Sequence, residues 1–228
     1  MTTVAIMQPY FVPYAGYFRL LAAADLFVIY DCVQFPRRGW VHRNRLRTHA
    51  GTLDWLTLPL ERPPWQARLD SIRLAADAPE RLRAALRAFA LMHTEAGAAL
   101  AEDLLLSGTA GRPLMRDYLE TQLGRTAARL GLTTPVVRSS TLALPEPLRG
   151  PDRILAVCAR LGATHYVNAP GGAGLYDPAA FAAFGVALRV LPPWTGAYDS
   201  ILQRLADAPA EQVAAEIRAQ SGPAGAAP

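Results

Sequence analysis

The chain of 228 residues contains no lysine; all 23 of its basic side chains are arginine. Against 19 acids the formal net charge is +4. A nucleic-acid binder more often shows a larger excess, gathered on one face, so the composition points away from nucleic acid. Cysteine is scarce. Cys32 and Cys158 cannot build a disulfide framework, and two free thiols in a reducing compartment are expected. No apolar run reaches the ~20 residues needed to cross a bilayer. Met1-Thr2-Thr3 brings no charged leader, so no signal peptide is read and a cytoplasmic location is expected. The histidines at 42, 49, 93 and 165 lack metal spacing among themselves and with Cys, and no metal site is expected from motifs. A Mg²⁺ held by Asp31 and donor phosphates would leave no motif. Neither G-x-G-x-x-G nor a Walker A loop is present.

What is present begins with the first 45 residues. Residues 4–7 make one short apolar run, and 26–30 make a second that stops at Asp31. Between them lie a loop rich in Pro, Gly and Tyr and an Ala-rich apolar stretch, 18–24. Strand, loop, helix, strand, acid is the pattern. In an open parallel sheet the loop 8–17 and Asp31 would both sit at the carboxyl edge, where ligands bind. If 40–47 is extended, Arg43, Arg45 and Arg47 share one face, and Gly51 turns the chain into a partner strand at 54–60.

The middle third reads as helical. A short strand is expected near 69–74. A helix over 79–95 would be opened by a capping box at Asp77 and Glu80, another covers 98–106, and a third covers 113–130. Residues 107–111 read as a loop. This insert, around 80–130, is expected to pack on and cover the sheet. The last third alternates again: strand 136–139, helix 151–161, strand 164–168, helix 177–184, strand 186–191, helix 199–206. That spacing indicates parallel right-handed crossovers. The whole predicts a single α/β domain over 1–206, a three-layer Rossmann-like, mostly parallel sheet. Residues 207–228 read as a loosely ordered tail with one loose helix near 209–219.

Several residues carry candidate chemistry. Gln8 ends the first strand and can orient a polar ligand. Asp31 ends the second and can deprotonate or hold an acceptor; the plainer alternative is an Asp31–Arg ion pair that supports the fold. Tyr10, Tyr14 and Tyr17 offer apolar bodies with polar tips, suited to sugar or base contacts; the equal alternative is that Tyr17 and Phe18 anchor the loop to the core. Gln34, Trp40, Arg43, Asn44 and Arg45 follow as a polar, basic segment whose guanidinium forks suit phosphate or carboxylate. Ser139 and Ser140 end a strand at the same edge and can bind phosphate; no G-x-S-x-G elbow marks a nucleophile. The turn at 170–174, with Gly171 and Gly172, can cradle an anion. Cys32 reads as a buried strand-end thiol rather than a nucleophile.

The ordered set Ile6-x-Gln8-Pro9-x-Phe11-x-Pro13-x-x-Gly16-Tyr17-Phe18, Ala24-Asp25, Asp31-x-x-Gln34-Phe35, Trp40-x-x-Arg43-Asn44-Arg45-Leu46 and Trp55-Leu56-Thr57-x-Pro59 resembles the WbqC-like family of bacterial proteins. In that resemblance Gly171, Gly172 and Tyr176 recur with Phe181. The resemblance implies a place in O-antigen or other surface-polysaccharide biosynthesis, or in natural-product biosynthesis. The first loop also resembles the place where nucleotidylyltransferases carry a His-x-x-His, which is absent here. Together these lead us to expect a transferase that uses a phosphate-bearing donor: a nucleotide, an acyl- or aminoacyl-CoA, or an acyl carrier protein. Acyl or aminoacyl transfer to an amine is the first reading. A nucleotidyl- or glycosyl-type transferase, and a non-catalytic binder of nucleic acid or an acidic partner, are the alternatives.

Overall fold

Parallel strands covered on both faces must be apolar on both sides, and the central runs of this chain, residues 4–6 and 27–29, are. In the computed structural model, which describes residues 1–106, 111–145 and 147–222, β1 is Thr3–Met7 and β2 is Leu26–Ile29. β5 is Val136–Arg138, β6 is His165–Asn168 and β7 is Ala187–Val190. These five form one sheet in the order β5-β2-β1-β6-β7, with every pairing parallel. Val4 lies opposite Leu26 on one side and Tyr166 on the other. The fold is a Rossmann-like three-layer α/β sheet.

Alternation along the strands sorts the two faces. Ala5, Phe27, Ile29 and Val167 pack with α1 (Arg19–Ala22), α4 (Met115–Arg129) and α8 (Ala210–Ala219). Val4, Ile6, Val28 and Tyr166 pack instead with α5 (Gly150–Arg160) and Phe181 of α6 (Pro178–Ala183). Tyr166 and Phe181 stack at 5.6 Å between ring centres.

A second core lies beside the sheet. The antiparallel hairpin of β3 (Arg43–Arg47) and β4 (Leu53–Thr57) turns at Gly51, whose φ of +82° favours glycine. Leu46 and Leu56 on its hidden face pack with Leu82 and Leu86 of α2 (Ala78–Leu86) and with Leu100 and Leu104 of α3 (Glu95–Leu106). The insert therefore builds its own core on the hairpin, and only α4 reaches the sheet. Met115 and Leu119 of α4 sit in the second core while Leu123 and Ala127 sit against the sheet.

Some local expectations are corrected. The helix expected to 95 stops at Leu86, and 90–93 form a 3-10 turn. Asp77 makes no side-chain cap, so the capping box is absent. Residues 69–71 form a 3-10 turn, and Arg73 and Leu74 make only isolated bridges, to Leu114 and Leu60. The tail is ordered through 219: the Ser200 hydroxyl accepts from Leu202 N at the start of α7 (Ile201–Asp207), and Val213 and Ile217 of α8 are fully buried. Most of the expected loop at 107–111 lies outside the described residues, as do 223–228. Among the described residues no helix is long and apolar enough to cross a membrane.

Candidate active site

The strand order reverses between β1 and β6. The chain leaves β1 toward one side of the sheet and leaves β6 toward the other, which opens a crevice beyond their carboxyl ends. A cavity of about 620 Å³ fills that crevice. Gln8 follows β1 into it, Asn168 ends β6 there, and the turn Pro170–Gly172 follows. Seven of the eight tyrosines in the chain line it: 10, 14, 17, 30, 166, 176 and 198, joined by Trp40 and Trp194. Aromatic side chains are thus concentrated at one place on the molecule.

The walls are held by specific contacts. The Tyr17 hydroxyl donates to Gln8 O at 2.9 Å, and its ring lies 5.3 Å from that of Tyr10. Tyr14 and Tyr198 stack at 5.0 Å, and Tyr198 donates to Trp194 O at 3.1 Å. Gly16 has no room for a side chain, because a Cβ would fall 2.4 Å from the Tyr14 ring and 2.8 Å from Trp194. At Gly172 a Cβ would meet the Asn168 amide at 2.1 Å, whereas Gly171 faces open space. Val12 carries the loop through φ +39°, an unusual conformation for a β-branched residue. Two donors fix it there: Asn44 Nδ2 at 2.9 Å and the Ser200 hydroxyl at 2.8 Å, both on the Val12 carbonyl. Asn44 lines the cavity but its amide is occupied, since its Oδ1 accepts from Arg45 N at 2.8 Å.

Among the described residues the cavity has one charged lining residue, Arg45, and no Asp, Glu, His or Cys. The Arg45 guanidinium lies 5.5 Å over Trp40 and 5.9 Å from Trp55, and its Nε is buried without a hydrogen-bond partner. Behind the wall, Arg19 is wholly buried with its guanidinium 5.5 Å over Trp194. Its Nη1 donates to Pro192 O and Gln220 O, while Nη2 has no hydrogen-bond partner. Burial pushes the phenols of Tyr10, Tyr14, Tyr17 and Tyr166 up, and that of Tyr30 to about 12. At neutral pH they are hydroxyl donors, not bases. The arrangement can bind, orient and donate protons, and it favours an anion because no carboxylate opposes Arg45.

The residues singled out in the sequence divide sharply. Gln8, Tyr10, Tyr14, Tyr17, Trp40, Asn44, Arg45, Gly171, Gly172 and Tyr176 share this cavity. Asp31 does not. Its carboxylate is fully buried, with Oδ1 accepting from Ser139 Oγ (3.0 Å) and Ser140 N (2.9 Å). Oδ2 accepts from Ser140 Oγ (2.6 Å) and Arg116 Nη1 (3.3 Å). The expected convergence of Asp31, Ser139 and Ser140 on a ligand is corrected: they converge on one another. The same network leaves no fit for Mg²⁺ at Asp31, because N–H and O–H donors and a guanidinium stand where a cation would bind. Arg43 lies flat on Trp55 at 4.2 Å and donates to Arg38 O rather than facing the cavity. Gln34 is exposed and lines a separate cavity of about 690 Å³ with Cys32, Arg149 and Arg153. Cys32 and Cys158 are both free and buried.

Sequence reasoning missed Tyr30, Tyr166, Asn168, Trp194, Tyr198 and the buried Arg19. Asn168 had a visible signal, since it ends a strand at the ligand edge. Tyr166 is a core residue of a strand and carried none.

No solved structure matches the chain. The uncharacterized protein Rv1507c of Mycobacterium tuberculosis is 29% identical over 195 residues, which cover 79% of this chain and 78% of that protein. The family model described as the WbqC-like protein family matches residues 8–203, a span that holds every aromatic residue lining the cavity, and the chain therefore belongs to the WbqC-like protein family.

Proposed function

We propose that the cavity at the strand crossover binds an activated donor carrying phosphate, and that the protein transfers the donor's acyl or aminoacyl group to an amine. The observation that carries this is the unopposed Arg45 in an acid-free aromatic cavity at the sheet's switch point. A phosphate meets the Arg45 fork, and the tyrosine walls take the apolar or cyclic parts of the donor. Acyl transfer from a thioester or ester asks little of the protein beyond position and donors. The amine nitrogen attacks the carbonyl carbon, a C–N bond forms, and the C–S or C–O bond breaks. The proton lost from nitrogen goes to the leaving sulfur or oxygen through solvent. In this reading the Gln8 amide and the phenols of Tyr10 and Tyr14 donate to the developing oxyanion. With Asp31 sealed away, the acceptor enters as the free amine. Family membership supports a place in surface-glycan or specialised-metabolite biosynthesis, with a small molecule or an acyl carrier protein supplying the acyl group.

A second reading, nucleotidyl or glycosyl transfer from a nucleotide sugar, is favoured by the stacked pair Tyr14 and Tyr198, whose faces suit a base or sugar ring. Thermal unfolding with each donor class separates the two. A donor at about 100 Kd stabilises the protein by about 2.7 kcal/mol. Acyl-CoA should raise the melting temperature in wild type and fail to do so in Arg45→Ala. If a nucleotide sugar alone stabilises, the second reading holds. If neither does, both fall.

A further inference from the structure

The net charge of +4 hides how the arginines are distributed. Arg43 and Arg45 stand on the outer face of the hairpin, with Trp55 directly across the ladder from Arg45. Trp40 packs against Trp55 at 5.1 Å, and both indoles stay more than a third exposed. Arg37 and Arg38 adjoin them, and the Arg37 guanidinium lies 4.9 Å over the exposed Trp65. None of Arg37, Arg38, Arg43 and Arg45 has a carboxylate partner among the described residues. Arg47, next along β3, is neutralised by Asp207. The acid of β4, Asp54, pairs with Leu46 and so belongs to the opposite face. This patch is continuous with the cavity, because Trp40 and Arg45 belong to both.

We infer that the hairpin face is a platform for the single-stranded end of a nucleic acid, placed so that the terminal nucleotide reaches the aromatic cavity. Exposed indoles offer faces for bases, and the guanidiniums stacked beside them supply positive charge and donors for phosphates. Five residues of strand span roughly 17 Å, enough for a few nucleotides and too short for a long groove. Bare charge complementarity would also suit an acidic protein. The stacked Arg–Trp pairs favour bases, because they would otherwise expose four aromatic and cationic planes with nothing flat to meet them. The inference rests on the transfer reading in one respect only: it makes the donor an acyl or aminoacyl ester at an RNA 3′ end. There the amine nitrogen would form the C–N bond as the ester C–O bond breaks, and the 3′ hydroxyl would leave with the proton.

The test is fluorescence anisotropy of a labelled single-stranded RNA of about 12 nucleotides with the intact protein. Four phosphate contacts predict that affinity falls about fifty-fold between about 50 and 200 mM salt. Trp55→Ala should weaken binding by roughly five- to a hundredfold. Arg43→Ala should weaken it and flatten the salt slope, while Arg81→Ala on α2 should change nothing. Trp55 and Arg43 are surface residues, and circular dichroism checks that the variants fold. Absence of binding at low salt overturns the platform. So does equal affinity for the matching duplex, or displacement by poly-glutamate with no effect of Trp55→Ala, which would mark an acidic protein as the partner. Equal affinity for DNA of the same sequence keeps the platform and removes the RNA ester as donor. No transfer occurs in this assay, so its failure leaves the cavity reading standing, and the failure of donor stabilisation leaves the platform standing.

Discussion

The carboxyl edge of the sheet has two ends that differ in how they treat their carboxylates and guanidiniums. Beyond β2 and β5, Asp31 is enclosed and each of its oxygens accepts from two donors, while the Nε of its partner Arg116 is left with only an ion pair to Asp117. Beyond β1 and β6, and on the hairpin beside them, guanidinium N–H groups of Arg19, Arg43 and Arg45 are buried with no hydrogen-bond partner. A buried donor left unpaired costs free energy, so each such group asks for an explanation. A saturated network explains itself as structure. On the proposed reading a ligand meets Arg45, the one of the three that lines the 620 Å³ cavity. The difference teaches that a carboxylate at a strand end is no evidence of catalysis until its oxygens are accounted for.

The contrast breaks most readily at Asp31. Asp31→Ala strands two serine hydroxyls, a backbone N–H and Arg116, and should destabilise the fold by about 3–5 kcal/mol in chemical denaturation. A loss below about 1 kcal/mol would mean that the network is not structural. Gly16→Ala comes next. Its Cβ must displace the Tyr14 ring and Trp194, so roughly 1–3 kcal/mol of stability should go, together with the stabilisation by donor. Gly171→Ala projects into open space and should stay within about 0.5 kcal/mol of wild type. If the two glycines behave alike, the packed wall of the cavity is wrongly described.

How far the sequence could be read follows from the range of each interaction. The parallel sheet was legible because each strand is a short apolar run bounded by Gly, Pro or Asp, and that signal is local. So were the hairpin and its arginine face, since alternation at 43, 45 and 47 needs only neighbours. Asp31 misled because its partners lie 85 to 109 residues away, at Arg116, Ser139 and Ser140, and only the fold brings them together. Tyr14 and Tyr198 became one wall for the same reason. The capping box at Asp77 failed on finer grounds: the motif was present, but the Asp77 side chain makes no capping bond there.

An effect absent at neutral pH and growing only on acidification concerns His42, at the base of the unsatisfied side. Its ring packs against Phe35 at 5.0 Å, and its Nδ1 is buried without a partner. Burial, aided by the neighbouring Arg43, lowers its pKa from 6.5 to about 4. In the unfolded chain the ring takes a proton near its ordinary value, so on acidification the unfolded state binds it first. The contribution of His42 to stability is therefore unaffected at neutral pH, falls as pH drops from 6.5 toward 4, and levels off below. His42→Phe should remove that part of the acid dependence while leaving the losses due to carboxylate protonation. The readout is the difference in urea midpoint between variant and wild type, followed from neutral pH to about pH 4. A difference that stays constant across that window would show that the ring is protonated in the fold, and that the hairpin side has a proton acceptor which its packing does not provide.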